Sequence, residues 1–307
     1  MHLEGTLSSS SPSPRKGISV IVPSHNEGQN LRRTVHSLLA TLPPNGEIVV
    51  VDDSSTDGST SFLEHGYGAL TVTRPSKRLG VAGARNHGAS LASGEVLVFS
   101  DAHVEAPIGW IDQLCAPLKS APVGIVGPVI SAMGNRAIKG YGQTWSGPNL
   151  EVQWLTRQAL SPYPVPLLGG GFMAMRRDFF DETGGFDTGM TTWGMEDSEI
   201  CLRAWLLGYQ CVVVPTAEVA HLFRSEFPYA VDWEMVMHNI LRLVGVHFSQ
   251  ERFAQVTASL AQTSGFPRAL ARLIDSDAFS RRAEFLARRQ FDDAWFFDRF
   301  NISFGPN

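Results

Sequence analysis

The strongest constraint on the fold lies in residues 18–120, where short β-branched runs alternate with helical patterns. Residues 18–22 read as a buried strand. Leu31, Val35, Leu38, Leu39 and Leu42 then recur at helical spacing. Residues 47–51, 70–73 and 95–100 read as further strands, and an Ala/Gly-rich helix is expected over 81–91. This alternation implies an α/β fold, with a parallel sheet and right-handed crossovers. Such sheets bind ligands at the carboxyl ends of their strands. Three strands end in polar groups here: PSHNE, Asp52-Asp53, and Asp101-Ala102-His103.

Composition narrows the function. A chain of 307 residues with 43 % hydrophobic content can fill one large core or two ordinary ones, at about 150 residues per domain. Charged residues are 18 %, below the ~25 % of an average soluble protein, which excludes extensive disorder. The net charge of −5 argues against a nucleic-acid partner. No apolar run approaches the ~20 residues of a membrane span, and no signal-peptide pattern opens the chain. Cys115, Cys201 and Cys211 are scattered, as expected in a reducing compartment, and resemble neither a disulfide framework nor a zinc site. A cytoplasmic enzyme is expected.

Residues 1–17 form a Ser/Pro tail that is expected to bury nothing. Glycines cluster over 124–147 and 169–194, suggesting loops shaped around a ligand. A strand is expected at 172–175, helical turns at 177–183, a helix at 195–207 and a strand at 211–215 leading towards His221. Residues 233–300 are helical in pattern and carry no motif. They would cover an acceptor site, dimerise, or complete the core, and Phe/Arg-rich helices favour packing.

The sharpest chemical feature is Asp101-X-His103. A carboxylate and an imidazole two residues apart can share a divalent cation, and mixed O/N ligation suits Mn2+ better than Ca2+. His221 is a candidate third ligand. Alone, the pair is more often simply solvated; its place after a central strand favours function. Asp52-Asp53 reads equally as a turn or helix cap and as a carboxylate that accepts from a base or ribose. Lys77, Arg78 and Arg85 form a basic cluster, either solvated or facing phosphates, and Arg224 would serve phosphates too. Trp193, Glu196 and Asp197, with Gly170 and Gly171, suit a sugar pocket, although core packing and helix-start charge explain them as well. No Walker A, GxGxxG or GxSxG motif is present.

The strings VPSHNE, EIVVVDDSS, KRLGVAGAR, GEVLVFSDAHVE, GGGFMAMRRDFF, WGMEDSEICLRAW and VAHLFR resemble glycosyltransferases of the GT-A fold. Within that fold they are most similar to the catalytic domain of the polypeptide N-acetylgalactosaminyltransferases. The resemblance spans residue 18 to about Tyr229. It implies a Rossmann-like, mostly parallel central sheet flanked by helices: a nucleotide-binding half (18–120), a sugar and acceptor half (121–230) and a helical C-terminal extension (231–307). It implies a UDP-sugar donor (GalNAc, GlcNAc or Glc type), Mn2+ or Mg2+, and a peptide, protein or small-molecule acceptor, with retention of configuration.

Residue by residue, the resemblance gives Asp53 the uracil and Arg78 the nucleoside side of UDP. Pro23, His25, Glu27 and Ala102 join the nucleotide site. Asp101, His103 and His221 would hold the metal, and Arg224 and Tyr229 the phosphates. Gly170, Gly171, Trp193 and Glu196 would line the sugar site. Asp197 stands where the family has asparagine, and Phe227 where it has histidine. The family's lectin domain and membrane anchor have no counterpart in the sequence, in line with a cytoplasmic enzyme. Two alternatives stay open: an inverting transferase with Glu196 or Asp197 as general base, and a protein that binds nucleotide-sugars without catalysis. A nucleotidyltransferase would carry a GxGTRLxP-type loop where this chain has PSHNE.

Overall fold

The computed structural model describes residues 16–66, 68–224 and 228–305. The first half contains β1 (Lys16–Ser24), α1 (Gln29–Thr41), β2 (Gly46–Asp52), β3 (Leu70–Thr73), α2 (Gly80–Leu91), β4 (Gly94–Ser100), β5 (Val104–Glu105) and α3 (Trp110–Cys115). Next come β6 (Val123–Ala132), β7 (Asn135–Gly140), the hairpin β8 (Gln143–Ser146) and β9 (Glu151–Trp154), and β10 (Tyr163–Pro164). They are followed by β11 (Phe172–Arg176), α4 (Arg177–Thr183), α5 (Glu196–Leu206) and β12 (Gln210–His221). The chain closes with α6 (Trp233–His247), α7 (Gln250–Leu260), α8 (Phe266–Ile274), α9 (Ala278–Arg288) and α10 (Asp293–Phe300).

The main sheet runs β10-β12-β6-β11-β4-β1-β2-β3, with β5 added beside β12 and β7 beside β6. β3, β2, β1 and β4 are parallel throughout, as their alternation with helices predicts. β11 runs antiparallel between β4 and β6, and β6 and β12 are parallel to each other. Alternate side chains of β1 serve opposite faces. Val20 and Val22 pack with Leu31, Val35 and Leu38 of α1. Ile21, between them, packs with Ala82, Ala84 and Ala89 of α2. All of these are essentially solvent-free, and burying a large aliphatic side chain of this kind contributes about 1.5–3 kcal/mol.

Two expectations need correction. The glycine-rich stretch 124–147 lies largely in β6, β7 and β8 rather than in ligand loops. Gly124 and Gly127 make room for large neighbours: a Cβ would lie 2.9 Å from the Phe179 ring and 2.7 Å from Leu168. The expected tail loses Lys16 and Gly17, because β1 begins at Lys16, which pairs with Gly94 of β4; residues 1–15 lie outside the described residues. The C-terminal helices complete the core, the role their Phe/Arg-rich pattern favours. Leu241, Val244, Phe248, Phe296 and Phe297 share one core with Ile21, Val49 and Phe99 of the sheet.

That shared core is tied by buried charge. Arg203 on α5 pairs with Glu199, and His247 on α6 stands 2.8 Å from the same carboxylate. All three are buried. The three cysteines are free. Among the described residues, no helix is long and apolar enough to cross a membrane.

Candidate active site

β2, β1 and β4 are adjacent and parallel, so their carboxyl ends open on one side of the sheet. Asp101 follows β4, and its N–H donates to Gly171 O at 2.9 Å. β5 starts directly after His103 and pairs antiparallel with β12, placing Val104 opposite His221. This ladder, with the bond from Leu222 N to His103 O (3.0 Å), sets the two imidazoles side by side, 4.7 Å between ring centres. His221 Nε2 lies 3.2 Å from Asp101 Oδ2, and His103 Nε2 lies 3.7 Å from the same oxygen. One donor atom from each residue falls within a 4.8 Å cluster.

These side chains fit a divalent cation. A carboxylate and two imidazoles are the ligands Mn2+ accepts. His103 Nδ1 lies 3.3 Å from Glu27 Oε1, leaving Nε2 turned to Asp101, as a carboxylate does when it orients a metal-binding imidazole. His221 Nδ1 is buried and has no hydrogen-bond partner among the described residues. Burial by itself would raise the Asp101 carboxyl. The His221 hydrogen bond and the His103 and Arg85 charges overcome that and hold it well below the usual carboxylate range. It is therefore ionised and ready to ligate. Gly171 leaves the space that His221 fills: a Cβ would lie 2.7 Å from the ring.

Glu27 also binds Arg224, which reaches both of its oxygens. Burial opposes ionisation of Glu27, but the adjacent His103 imidazole and the Arg224 guanidinium lower its pKa overall. On the nucleoside side, the structure separates Asp52 from Asp53. Asp52 is fully buried and holds Ser55 N, Thr60 Oγ1 and Arg74, a purely architectural role. Asp53 faces the cavity and takes Leu79 N at 2.6 Å and Gly80 N at 2.9 Å. His25 Nδ1 donates to Asp53 O at 2.7 Å, stitching the tips of β1 and β2 together. Tyr229 lies edge-on to His25 and under the Arg78 guanidinium. Burial, with the Asp101 and Glu27 charges, pushes its phenol up to about 12.

The basic cluster expected of Lys77, Arg78 and Arg85 does not exist as one group. Lys77 and Arg78 are exposed, while Arg85 is buried at the centre of the site. Its guanidinium reaches Glu196 Oε1 (3.1 Å), Asp101 Oδ1 (3.3 Å) and Gly170 O (2.7 Å). Asp197 Oδ2 accepts from Gly170 N at 2.8 Å. Burial raises the carboxyl pKa of both Glu196 and Asp197, Glu196 to about 7. A trace of Arg85 was legible: it is the one charge among Ala82, Ala84, Gly88 and Ala89, the small residues of the buried face of α2.

Every described residue that the family resemblance gave a place in the site, including Pro23, Ala102 and Trp193, lines one cavity of about 870 Å³. Phe227 lies outside the described residues. The sequence reading missed other lining residues, among them Val152 and Trp154 of β9 and Trp233, Val236 and Ile240 of α6. Trp154 and Trp233 are exposed apolar side chains, a property that only the fold reveals.

The model of glycosyl transferase family 2 matches residues 19–184, and that of the N-terminal domain of galactosyltransferase matches residues 156–225. A putative polypeptide N-acetylgalactosaminyltransferase 13 of Drosophila melanogaster is 33 % identical over 74 % of this chain and 46 % of its own length. Polypeptide N-acetylgalactosaminyltransferase 3 of Taeniopygia guttata is 32 % identical over 76 % of this chain and 42 % of its own. The chain thus spans less than half the length of these curated relatives. A crystal structure of GalNAc-T7 with UDP, GalNAc and Mn2+ superposes with a TM-score of 0.76 at 27 % identity, covering 94 % of this chain and 57 % of that one.

Proposed function

The chain belongs to glycosyl transferase family 2, and from that premise we propose that it moves a sugar from a UDP-sugar to a hydroxyl of a peptide, protein or small-molecule acceptor, with a divalent cation. The observation that carries this is the convergence of Asp101, His103 and His221 on one wall of a cavity large enough for donor and acceptor together. The names of the relatives, and the UDP and Mn2+ in GalNAc-T7, support the same reading.

Asp101, His103 and His221 would hold the cation. Its chemistry is to offset the negative charge that grows on a diphosphate as the glycosidic bond breaks. Arg224, steadied by Glu27, adds a fixed positive charge beside it. Tyr229 keeps its proton at neutral pH and so acts as a hydrogen-bond donor. Asp53, His25 and Arg78 would receive the nucleoside; Trp193, Glu196, Gly170 and Gly171 would receive the sugar. The apolar residues of β9 and α6 that line the cavity would receive the acceptor.

We favour retention, with the departing diphosphate taking the acceptor proton. Both Glu196 oxygens are already engaged, one by Arg85 and one by Gly194 N at 3.0 Å. The competing reading is inversion with Glu196 as base, favoured by a carboxyl pKa of about 7. NMR of the product anomer separates them. The activity itself is tested by incubating the protein with UDP-Glc, UDP-GlcNAc and UDP-GalNAc, with and without Mn2+. Metal-dependent UDP release is expected. Binding of UDP without any release would make this a binding protein, and no binding at all would overturn the proposal.

A further inference from the structure

Trp193 sits in a loop that leads into Glu196, the first residue of α5, and part of the loop's backbone is held in an unfavourable shape. Thr192 and Met195 have φ of 61° and 73°, a region that side-chain-bearing residues enter only when their surroundings impose it. One constraint comes from α2. Val81 N donates to Thr192 O at 2.8 Å, and Gly80 passes so close that a Cβ would lie 2.7 Å from Thr192 N. Gly80 is also a residue whose N–H Asp53 accepts.

The second constraint is one side chain on α6. Asn239 is buried, and its Nδ2 donates to Gly194 O at 2.9 Å and Thr191 O at 3.0 Å, with Trp193 O at 3.4 Å. Its Oδ1 is buried with no hydrogen-bond partner among the described residues. An unpaired buried carbonyl is costly, so the amide is tolerated here for what its N–H groups hold. Asn239 is not among the residues that line the cavity.

We propose that Asn239 is a positioning residue for the donor sugar: its amide clamps loop 191–194 in the left-handed shape that presents Trp193 and Glu196 to the cavity. This rests on the proposed function for the identity of the ligand, but not for the clamp itself. Without the clamp the nucleoside contacts at Asp53 and His25 persist, while the sugar contacts lose their geometry. Sugar recognition should therefore suffer and nucleotide recognition should not.

The test replaces Asn239 by a side chain of similar shape without donors, Asn239→Leu, and by Asn239→Ala should the first fail to fold. UDP and the UDP-sugar best bound by the wild type are titrated calorimetrically, and hydrogen exchange is followed over residues 189–196. UDP affinity should stay within about twofold, while UDP-sugar affinity falls about tenfold or more, the scale of a misplaced contact. Exchange over 189–196 should accelerate while α5 and α7 are unchanged. Equal weakening of UDP and UDP-sugar, or unaltered exchange in the loop, would overturn the proposal. If the wild type bound no UDP, the proposed function would fall and the exchange data would still decide the clamp.

Discussion

Nδ1 of His103 stands 3.3 Å from Oε1 of Glu27, a residue from the loop after a different strand. Glu27 lies outside the Asp101–His103–His221 cluster, yet it stands against one of its imidazoles and anchors Arg224. Glu27→Gln keeps the shape and removes the charge. Mn2+ affinity should fall about 10–100-fold, the usual cost of losing such an outer partner. Mn2+ titration followed by electron paramagnetic resonance checks this; an unchanged dissociation constant would remove Glu27 from the metal site.

Gly171→Ala tests the cluster from the opposite side. The added methyl would sit 2.7 Å from His221 Cδ2 and 3.0 Å from Nε2, so the ring must move. Metal-dependent turnover should drop by about 100-fold, on the scale of a small misplacement in a catalytic site. Circular dichroism should show an intact fold, because the methyl points into a cavity-lining region. Full activity in this variant would show that His221 need not occupy its present position.

Glu196 gives a pH dependence. Burial is the main force pushing its carboxyl up to about 7; Arg85 opposes this and Asp197 adds to it. As pH falls through that value the carboxylate takes a proton and its ion pair with Arg85 is lost. The donor kcat/KM should therefore decline on the acid side of about pH 7, approaching tenfold per unit. Glu196→Gln should be less active and lack that limb. A wild-type profile flat from about pH 5.5 to 8 would contradict this.

Stability should carry its own pH signature through Glu199 and His247. Burial alone would raise the Glu199 carboxyl, but the Arg203 charge and the His247 hydrogen bond hold it well below the usual carboxylate range. Burial pushes the His247 imidazole down from its ordinary 6.5. Both groups bind protons less readily in the fold than in the unfolded chain. Their contribution is thus present above the unfolded values and is lost as pH falls, His247 first below 6.5 and Glu199 below 4.5. Urea midpoints should fall from about pH 7.5 to pH 5, and His247→Gln should flatten the upper part of that decline. A midpoint that rises on acidification would refute the assignment.

Much of the site was legible because it sits where a parallel sheet must put it. β-branched runs specify β1, β2, β3 and β4 locally, and their carboxyl ends carry His25, Glu27, Asp53, Asp101 and His103 whatever the rest of the chain does. β6 was hidden: Gly124, Gly127 and Pro128 interrupt its apolar run, and only contact with Phe179 and Leu168 explains the glycines.

By itself, then, the sequence determined the α/β order, the strand tips and the types of side chain placed on them, since these follow from backbone preference and alternation over a few residues. Tertiary structure alone decided which tips meet. His221 reaches His103 through the β5–β12 ladder, Arg85 goes inward while Arg78 goes outward, and α6 closes over the loop at Trp193. Those choices rest on pairing and packing between segments up to 120 residues apart, where buried charges find partners only once the whole core has closed.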